Sequence, residues 1–251
     1  MATIIGFNSK LRCDLTSWTY LLFFGSLWLS IPLEVSGQIT LDQRIREEVA
    51  KGMRQHLDQY TIDPWYPRIL DHEYGGFLSD FDVRWQPVGD QDKMIVTQSR
   101  HIWTPSRMAK FADDKTRFLQ IAEHGARFLK DKMWDHQNGG FYYLVDQMGQ
   151  ATNPDAERGF IKTAYGNAFA IYGLSAHYHV SGNAESLALA KEAFLWLEEN
   201  SHDDEFGGYF QFMLEDGSAL TDGHNNPPKD QNSSIHLIEA FCELYHVWKD
   251  P

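Results

Sequence analysis

The first residues that could do chemistry are two arginines and a tryptophan in the segment QSRHIWTPSR. Arg100, Trp103 and Arg107 are spaced by three and four residues, which places them on one face of a helix. A guanidinium group can hold the oxygens of a sugar, and an indole ring can stack on a sugar ring. The same spacing also fits a solvated helix surface or an ordinary buried ion pair.

A second set combines an amide, an imidazole and a carboxylate in the segment QNSSIHLIEAF. Asn232, His236 and Glu239 are spaced i, i+4 and i+7, so they share one helical face. Glu239 lies one turn after His236 and could fix the tautomer of its ring. A histidine beside a carboxylate in a cavity can act as a general acid or base. A surface His–Glu pair is the alternative.

Lys162 and Tyr165 form a third set in the segment KTAYGNAFAIY. The phenol could donate a hydrogen bond to a ligand, although a tyrosine at an apolar periodic position more often packs in the core with its hydroxyl satisfied. The sequence has no phosphate-binding glycine loop, no GxSxG, no HExxH and no set of residues with metal-ligand spacing. We therefore expect chemistry that needs no cofactor and no metal.

A short sequence motif built around a glycine pair occurs three times, and each of the three sets of candidate residues follows one copy of this motif. The pairs are Gly75-Gly76, Gly139-Gly140 and Gly207-Gly208, so the first glycines are 64 residues apart (75 to 139) and then 68 residues apart (139 to 207). A repeated period of this size is typical of repeat architectures. Because glycine tolerates positive φ, each motif predicts a turn that enters a short strand or hairpin.

Between the motifs the apolar residues follow a helical period. Helices that follow a glycine pair are rich in small and apolar residues and are predicted to form an inner ring, whereas those that precede one carry more charge and are predicted to form an outer ring. The sequence thus predicts an all-α fold of the (α/α)6-toroid type, here with about three helix pairs and short β-hairpins after each Gly-Gly turn. The six predicted helices cover residues 41–60, 97–112, 116–134, 161–180, 184–200 and 231–248.

The chain length bears on whether this ring could close. A closed toroid of six pairs at this period would need roughly 390–400 residues, and the chain has 251. The interpretation is an incomplete barrel, which predicts either a homodimer or a missing C-terminal half.

Composition narrows the classes of partner. There are 35 acidic and 22 basic residues, giving a net charge of −13. This excludes a typical nucleic-acid-binding protein, which needs a basic face to replace phosphate counterions. The aromatic fraction of 14%, with eight tryptophans, suits a cleft that stacks on a sugar.

The N-terminal segment has the features of a leader. Residues 15–33 carry no charge and follow Lys10 and Arg12. This pattern predicts a signal peptide over residues 1–37, cut after Gly37, with an uncleaved membrane anchor as the alternative. The protein is then expected to be secreted or periplasmic. Cleavage would leave Cys242 as the single cysteine, which excludes an intramolecular disulfide.

Four segments of this chain resemble the N-acylglucosamine 2-epimerase family, which includes cellobiose and mannobiose 2-epimerases and related aldose–ketose isomerases. The resemblance implies an (α/α)6 barrel, of which residues 38–251 would be the N-terminal half, and a reversible inversion at C2 of a reducing-end sugar. The segments are WYPRILDHEYGGFLSDFD at 65–82, TQSRHIWTPSR at 97–107, KTAYGNAFAIYGL at 162–174 and NSSIHLIEAFCELY at 232–245.

The resemblance also implies roles for single residues. Arg100 matches an arginine that contacts the O1/O2 region of the substrate, and Tyr165 matches a tyrosine of the cleft. Asn232, His236 and Glu239 match the family's N-x-H-x-H-x-x-E-A type motif. Ser234 stands where many cellobiose epimerases have the first histidine of that motif, which argues against specificity for cellobiose.

Removal of a C2 proton next to a carbonyl needs a base and a charge that stabilises the enediolate. Arg100 would supply the charge. In the family the two acid/base groups are histidines of the later half of the barrel, so this chain is expected to lack both, and His236 is expected to be an auxiliary group. A non-catalytic carbohydrate-binding module is one alternative. A glycoside hydrolase using the clustered acids Asp71, Glu73 and Asp80 is another.

Overall fold

The structure is a computed structural model that describes residues 35–154, 159–221 and 228–249. The chain divides into two compact units, Met1–Met53 and Arg54–Pro251. Nearly all of the predicted leader lies outside the described residues, and only its last three residues fall within them, at the start of the first helix. The leader therefore stays a prediction. Within the described ranges, no helix combines the length and the apolar character needed to cross a bilayer.

All six predicted helices are present. Their bounds agree with the sequence pattern to within a few residues at most ends. α5 begins three residues later than predicted because β3 precedes it and Thr163 caps it, accepting the N–H of Gly166. The helices are α1 Val35–Leu57, α3 Ile95–Met108, α4 Lys115–Phe128, α5 Ala164–Ser181, α6 Ala184–Asn200 and α7 Gln231–Val247; a one-turn helix α2 spans Asp63–Trp65.

Two of these helices end in a π-helical turn that the periodicity does not predict. The turn after α1 covers Asp58–Ile62, and the turn after α4 covers Leu129–Met133. An i→i+5 turn shifts the register by one residue. It thereby places buried Leu129 and Met133 on the core side as the chain leaves the helix.

Inner and outer helices are arranged as the sequence predicts. α3, α5 and α7 pack side by side, while α4 packs on α3 and α6 on α5. α5 is apolar on nearly all faces, and most of its residues are buried. Its Gly173 lies against the backbone of Ser99, where a Cβ would come within 2.8 Å of the Ser99 carbonyl oxygen. This close approach of α3 and α5 requires glycine.

The three Gly-Gly turns have the same structure. In each, an aspartate four residues before the first glycine accepts two backbone N–H groups through its Oδ1 atom. Asp71 accepts those of residues 73 and 74, Asp135 those of 137 and 138, and Asp203 those of 205 and 206. The six glycines all have positive φ. The turns therefore need both the aspartate and the glycines.

A tight turn closed by a β-bridge follows each Gly pair, as the predicted hairpins require; the bridges join Phe81 to Pro87, Val145 to Ala151 and Met213 to Ala219. The regular strands pair between successive repeats, which the sequence did not predict. β1 (Lys93–Met94) is antiparallel to β2 (Leu144–Val145), and β3 (Lys162–Thr163) is antiparallel to β4 (Phe212–Met213).

A buried lysine strengthens each of these connections. Lys93 Nζ donates to Asp71 Oδ2 (2.8 Å), to the carbonyl of Gly75 (2.6 Å) and to the carbonyl of Gln147 in the next repeat (2.9 Å). Lys162 makes the same three kinds of bond, to Asp135, Gly139 and Glu215. Each lysine thus joins the turn of its own repeat to the loop of the following one.

Candidate functional site

Three inner helices contribute one side chain each to a continuous row. Arg100, Phe169 and His236 stand seven residues after the lysine that precedes their helix, so they are equivalent positions of the repeat. The guanidinium carbon of Arg100 lies 4.5 Å from the centroid of the Phe169 ring, and the imidazole of His236 lies 4.6 Å from it on the α7 side. Phe169 is buried between the two polar groups.

Glu239 fixes the ring of His236. Its Oε2 atom is 2.7 Å from His236 Nδ1, and the side chains are 54% and 21% exposed, respectively. A proton on Nδ1 that is donated to the carboxylate leaves Nε2 for another partner. The ring of Tyr165 lies 5.2 Å from that of His236 and 5.0 Å from that of Phe169.

A second row lies one helical turn further along the same inner helices. The Trp103 indole stacks on the Tyr172 ring, with centroids 5.1 Å apart and planes 13° apart. The guanidinium carbon of Arg107 lies over the Trp103 ring, 5.2 Å from its centroid. Arg107 also makes an ion pair with Glu243 of α7. Burial raises the pKa of Tyr172, which keeps its phenol protonated as a donor. Arg107 therefore ties α3 to α7.

In the structure the predicted site residues lie close together, except that Asn232 makes no side-chain hydrogen bond to the others. Arg100, Tyr165, His236 and Glu239 lie in one connected cluster, and Trp103 lies in the adjacent row. Asn232 is exposed on α7, one turn before His236, and its side chain makes no hydrogen bond within the described part of the chain.

Two other residues considered from the sequence have a structural role. Lys162 is fully buried in the second Gly-Gly turn, away from the row that contains Tyr165. Asp71 is buried in the first turn beside Lys93. Burial raises the pKa of Asp71, but hydrogen bonds from Lys93 and from the Tyr74 N–H outweigh it, and the net pKa is lowered. An ionised and fully engaged carboxylate cannot be the proton donor of a glycoside hydrolase.

Sequence reasoning did not find three residues of the site, namely Phe169, Tyr172 and Glu243. Each resembles an ordinary core or surface residue when its helix is considered alone. The signal that could have found them is the common offset from the repeat lysine. Trp103, Tyr172 and Glu239 share one offset, and Arg107 and Glu243 share the next one along the helix.

Comparison with known proteins decides the family. The sequence profile of N-acylglucosamine 2-epimerase (GlcNAc 2-epimerase) matches residues 75–251, which is most of the chain. The chain belongs to this family. The match begins at the first Gly-Gly turn and includes all three inner helices.

Relatives of known name agree with this assignment. A cellobiose 2-epimerase of Ruminococcus albus is 34% identical over 200 residues, covering 77% of this chain and 48% of the relative. Among solved structures, cellobiose 2-epimerase from Bacillus thermoamylovorans has a TM-score of 0.71 at 27% identity, covering 81% of this chain and 52% of that one. A D-mannose isomerase shares the fold, with a TM-score of 0.67 at 20% identity. The chain spans about half the length of the relatives it matches.

Proposed function

We propose that the inner face of α3, α5 and α7 is part of the active surface of a carbohydrate 2-epimerase or isomerase. Such an enzyme acts at C2 of a reducing-end aldose by deprotonation and reprotonation through an enediolate. The observation that carries the proposal is the row Arg100–Phe169–His236, with Glu239 behind His236. The cellobiose epimerases and the mannose isomerase to which the chain is similar support this class of reaction.

Arg100 has the chemistry that the enediolate needs. Arg100 is exposed on α3, and the planar donors of its guanidinium can reach two neighbouring oxygens at once. Because charge develops on O1 as the C2 proton leaves, a positive group held there stabilises the transition state more than the ground state. Packing on Phe169 limits the positions that the guanidinium can adopt.

His236 is assigned a hydrogen-bonding role toward the sugar. Glu239 occupies its Nδ1 atom, so Nε2 is the atom that would contact a substrate hydroxyl. The inversion at C2 needs acid/base groups on both faces of the carbon. We assign neither of these groups to His236. Trp103 and Tyr172 would form an aromatic wall beside the sugar.

The proposal is tested by proton NMR of the full chain in D2O with mannose, N-acetylmannosamine, cellobiose and mannobiose. Two signals are followed, namely saturation transfer to bound sugar and loss of the C2 proton signal. We expect saturation transfer to at least one sugar, and we expect Arg100→Ala and His236→Ala to weaken it by at least tenfold. Arg84→Ala is the matched control, because Arg84 is exposed in a loop outside the site.

The two signals separate the candidate functions. Loss of the C2 signal that depends on Arg100 supports the epimerase or isomerase directly. Binding without exchange favours a non-catalytic carbohydrate-binding surface, which the stacked pair Trp103–Tyr172 would also serve. Release of new reducing ends would point to a glycoside hydrolase. A folded chain that neither binds nor exchanges any sugar contradicts the proposal.

A further inference from the structure

Two tyrosines beside the proposed sugar site have hydroxyl groups that lack a hydrogen-bond partner. Tyr165 lies in the first turn of α5, and Tyr143 lies in the hairpin that precedes this helix. Both residues are half-buried, and neither hydroxyl oxygen is hydrogen-bonded within the described residues or is a fully buried atom. A buried tyrosine hydroxyl usually has a partner, as that of Tyr66 has in His101. The two phenols therefore offer hydrogen bonds that the described part of the chain does not use.

Backbone hydrogen bonds on both sides fix the position of Tyr143. Its N–H donates to the Ile161 carbonyl (2.8 Å), and its own carbonyl accepts from the N–H of Ile95 (3.0 Å). Ile95 is the first residue of α3, and Ile161 lies three residues before α5 begins. Tyr143 thus lies at the N-terminal ends of both inner helices. It belongs to the second repeat, which has a neighbouring repeat on each side.

The Tyr143 ring lies against the first turn of α5. A Cβ on Gly166 would be 3.5 Å from Tyr143 Cδ2 and 2.6 Å from a side-chain carbon of Ile95, so glycine permits this close approach. Burial raises the pKa of Tyr143, and the nearby Tyr165 phenol raises it further, which keeps the hydroxyl protonated as a donor. The Tyr165 ring in turn lies 5.2 Å from that of His236. A continuous path of polar and aromatic groups therefore leads from His236 to Tyr143.

The hairpin itself does not require an aromatic residue at position 143. Ser79 and Gln211 are the equivalent residues of the other two repeats, each eight residues after the aspartate of its turn. The Gln211 N–H donates to the Pro228 carbonyl (2.7 Å), which is the same backbone bond that Tyr143 makes. The Ser79 hydroxyl donates to the Asp92 carbonyl (2.6 Å) inside its own repeat. The Tyr143 side chain is therefore available for a role outside the hairpin.

A half-buried phenol with an unused hydroxyl suits a sugar, because its ring face is apolar and its hydroxyl can donate or accept a hydrogen bond. We propose that Tyr143 is a further substrate-binding residue, which together with Tyr165 holds a second sugar ring linked to the reducing-end unit. Two aromatic rings, Phe169 and Tyr165, separate Arg100 from Tyr143. A sugar unit held by Arg100 therefore needs a linked second unit to reach Tyr143. This inference rests on the proposed function.

The experiment measures the binding of disaccharides and monosaccharides to the full chain by saturation-transfer NMR. Cellobiose is compared with glucose and mannobiose with mannose, so that each disaccharide is paired with its own reducing-end unit. We expect Tyr143→Phe to raise the Kd of a disaccharide about two- to tenfold, which is the contribution of one hydrogen bond, and to leave the Kd of its monosaccharide unchanged. Phenylalanine keeps the ring and its edge-to-face contact with Phe160 (centroids 5.7 Å apart), so the fold is preserved.

Two further variants and an epitope map locate the contact. Arg100→Ala should weaken the binding of both members of a sugar pair, because Arg100 holds the unit that they share. Tyr60→Phe is the matched control, because Tyr60 is exposed in the turn after α1. In the bound disaccharide, Tyr143→Leu should lower the saturation of the non-reducing ring relative to that of the reducing ring. Far-UV circular dichroism of each variant verifies that it is folded.

The outcomes separate this inference from the proposed function. Arg100-dependent binding of sugars that is the same in Tyr143→Phe, Tyr143→Leu and the unmodified chain overturns the role of Tyr143 and leaves the proposed function standing. An equal loss of disaccharide and monosaccharide binding in the Tyr143 variants also overturns it, because the hydroxyl would then not contact a second ring. A folded chain that binds none of the four sugars contradicts the proposed function and this inference with it.

Discussion

Lys162 and Asp135 form an ion pair inside the protein, with 2.7 Å between Nζ and Oδ2 and side chains that are 0% and 3% exposed. The lysine also holds the carbonyls of Gly139 and Glu215. Removing one member of a buried pair leaves a charge and several polar groups unpaired, which costs about 3–5 kcal/mol.

We therefore expect Lys162→Met to lower the free energy of unfolding by about 3–5 kcal/mol, measured by urea denaturation. Lys115→Met, at an exposed position, should change it by less than about 0.5 kcal/mol. The double variant Lys162→Met/Asp135→Asn should be less destabilised than the sum of the two single changes. A Lys162→Met chain as stable as the control would show that the pair does not hold the turn.

Gly140 of the second turn and Gly208 of the third offer a matched pair of substitutions. Trp196 packs against Gly140, whereas Lys229 alone among the described residues comes within 4 Å of a Cβ on Gly208. Gly140 and Gly208 have nearly equal φ values of 73° and 79°, so alanine brings the same backbone cost of about 1–2 kcal/mol at each. A Cβ on Gly140 would also lie 2.7 Å from ring atoms of Trp196, whereas the nearest described atom to one on Gly208 is 3.9 Å away.

Gly140→Ala should consequently destabilise the chain by about 1–3 kcal/mol more than Gly208→Ala. The measurement is urea unfolding of both variants and of the unmodified chain. Equal effects of the two substitutions would mean that the Trp196 side chain moves aside without lowering the free energy of unfolding.

Phe169 is expected to position Arg100 and His236 without contacting the sugar itself. Phe169→Leu keeps an apolar side chain but removes the ring on which both polar groups pack. We expect sugar binding by saturation-transfer NMR to weaken about tenfold while the fold is kept. Phe118→Leu, a similar change in the core of α4, is the control for general loss of packing. Equal loss in both variants would contradict a positioning role.

The buried imidazole of His101 should make stability depend on pH. Burial lowers its pKa to about 4 from an ordinary value of 6.5, and its Nδ1 atom is 3.0 Å from the Tyr66 hydroxyl. Between these two values the unfolded chain binds a proton that the folded chain does not. The contribution of His101 to the free energy of unfolding is therefore fully present above pH 6.5 and decreases as the pH falls toward 4.

NMR titration of the folded chain should show His101 changing its chemical shift near pH 4. In urea unfolding, His101→Gln should flatten the decrease in stability between pH 6.5 and 4, whereas His136→Gln, at an exposed position, should leave it unchanged. A His101 resonance that titrates near 6.5 would contradict this account.

The sequence predicted the helices well because apolar spacing reports burial directly, and α6 begins and ends where the pattern does. Through the family resemblance it also grouped Arg100 with His236, and both side chains lie against the Phe169 ring in the structure. It did not predict what lies between them, because Phe169 has no distinguishing chemistry until three helices are packed. It also missed the role of Lys162, whose partner Asp135 is 27 residues away and whose burial only the turn geometry explains.

The lysine bonds and the ladders connect only neighbouring repeats. The free energy of folding is therefore largely a sum of the contributions of single repeats and of the contacts between neighbours, as in other repeat proteins. A change in the first turn should affect the second repeat most, and it should reach the third repeat mainly through the Arg107–Glu243 ion pair between α3 and α7. In the described part of the chain, Lys229 makes two hydrogen bonds to the third turn, whereas Lys93 and Lys162 make three each, so local opening should start at the third turn.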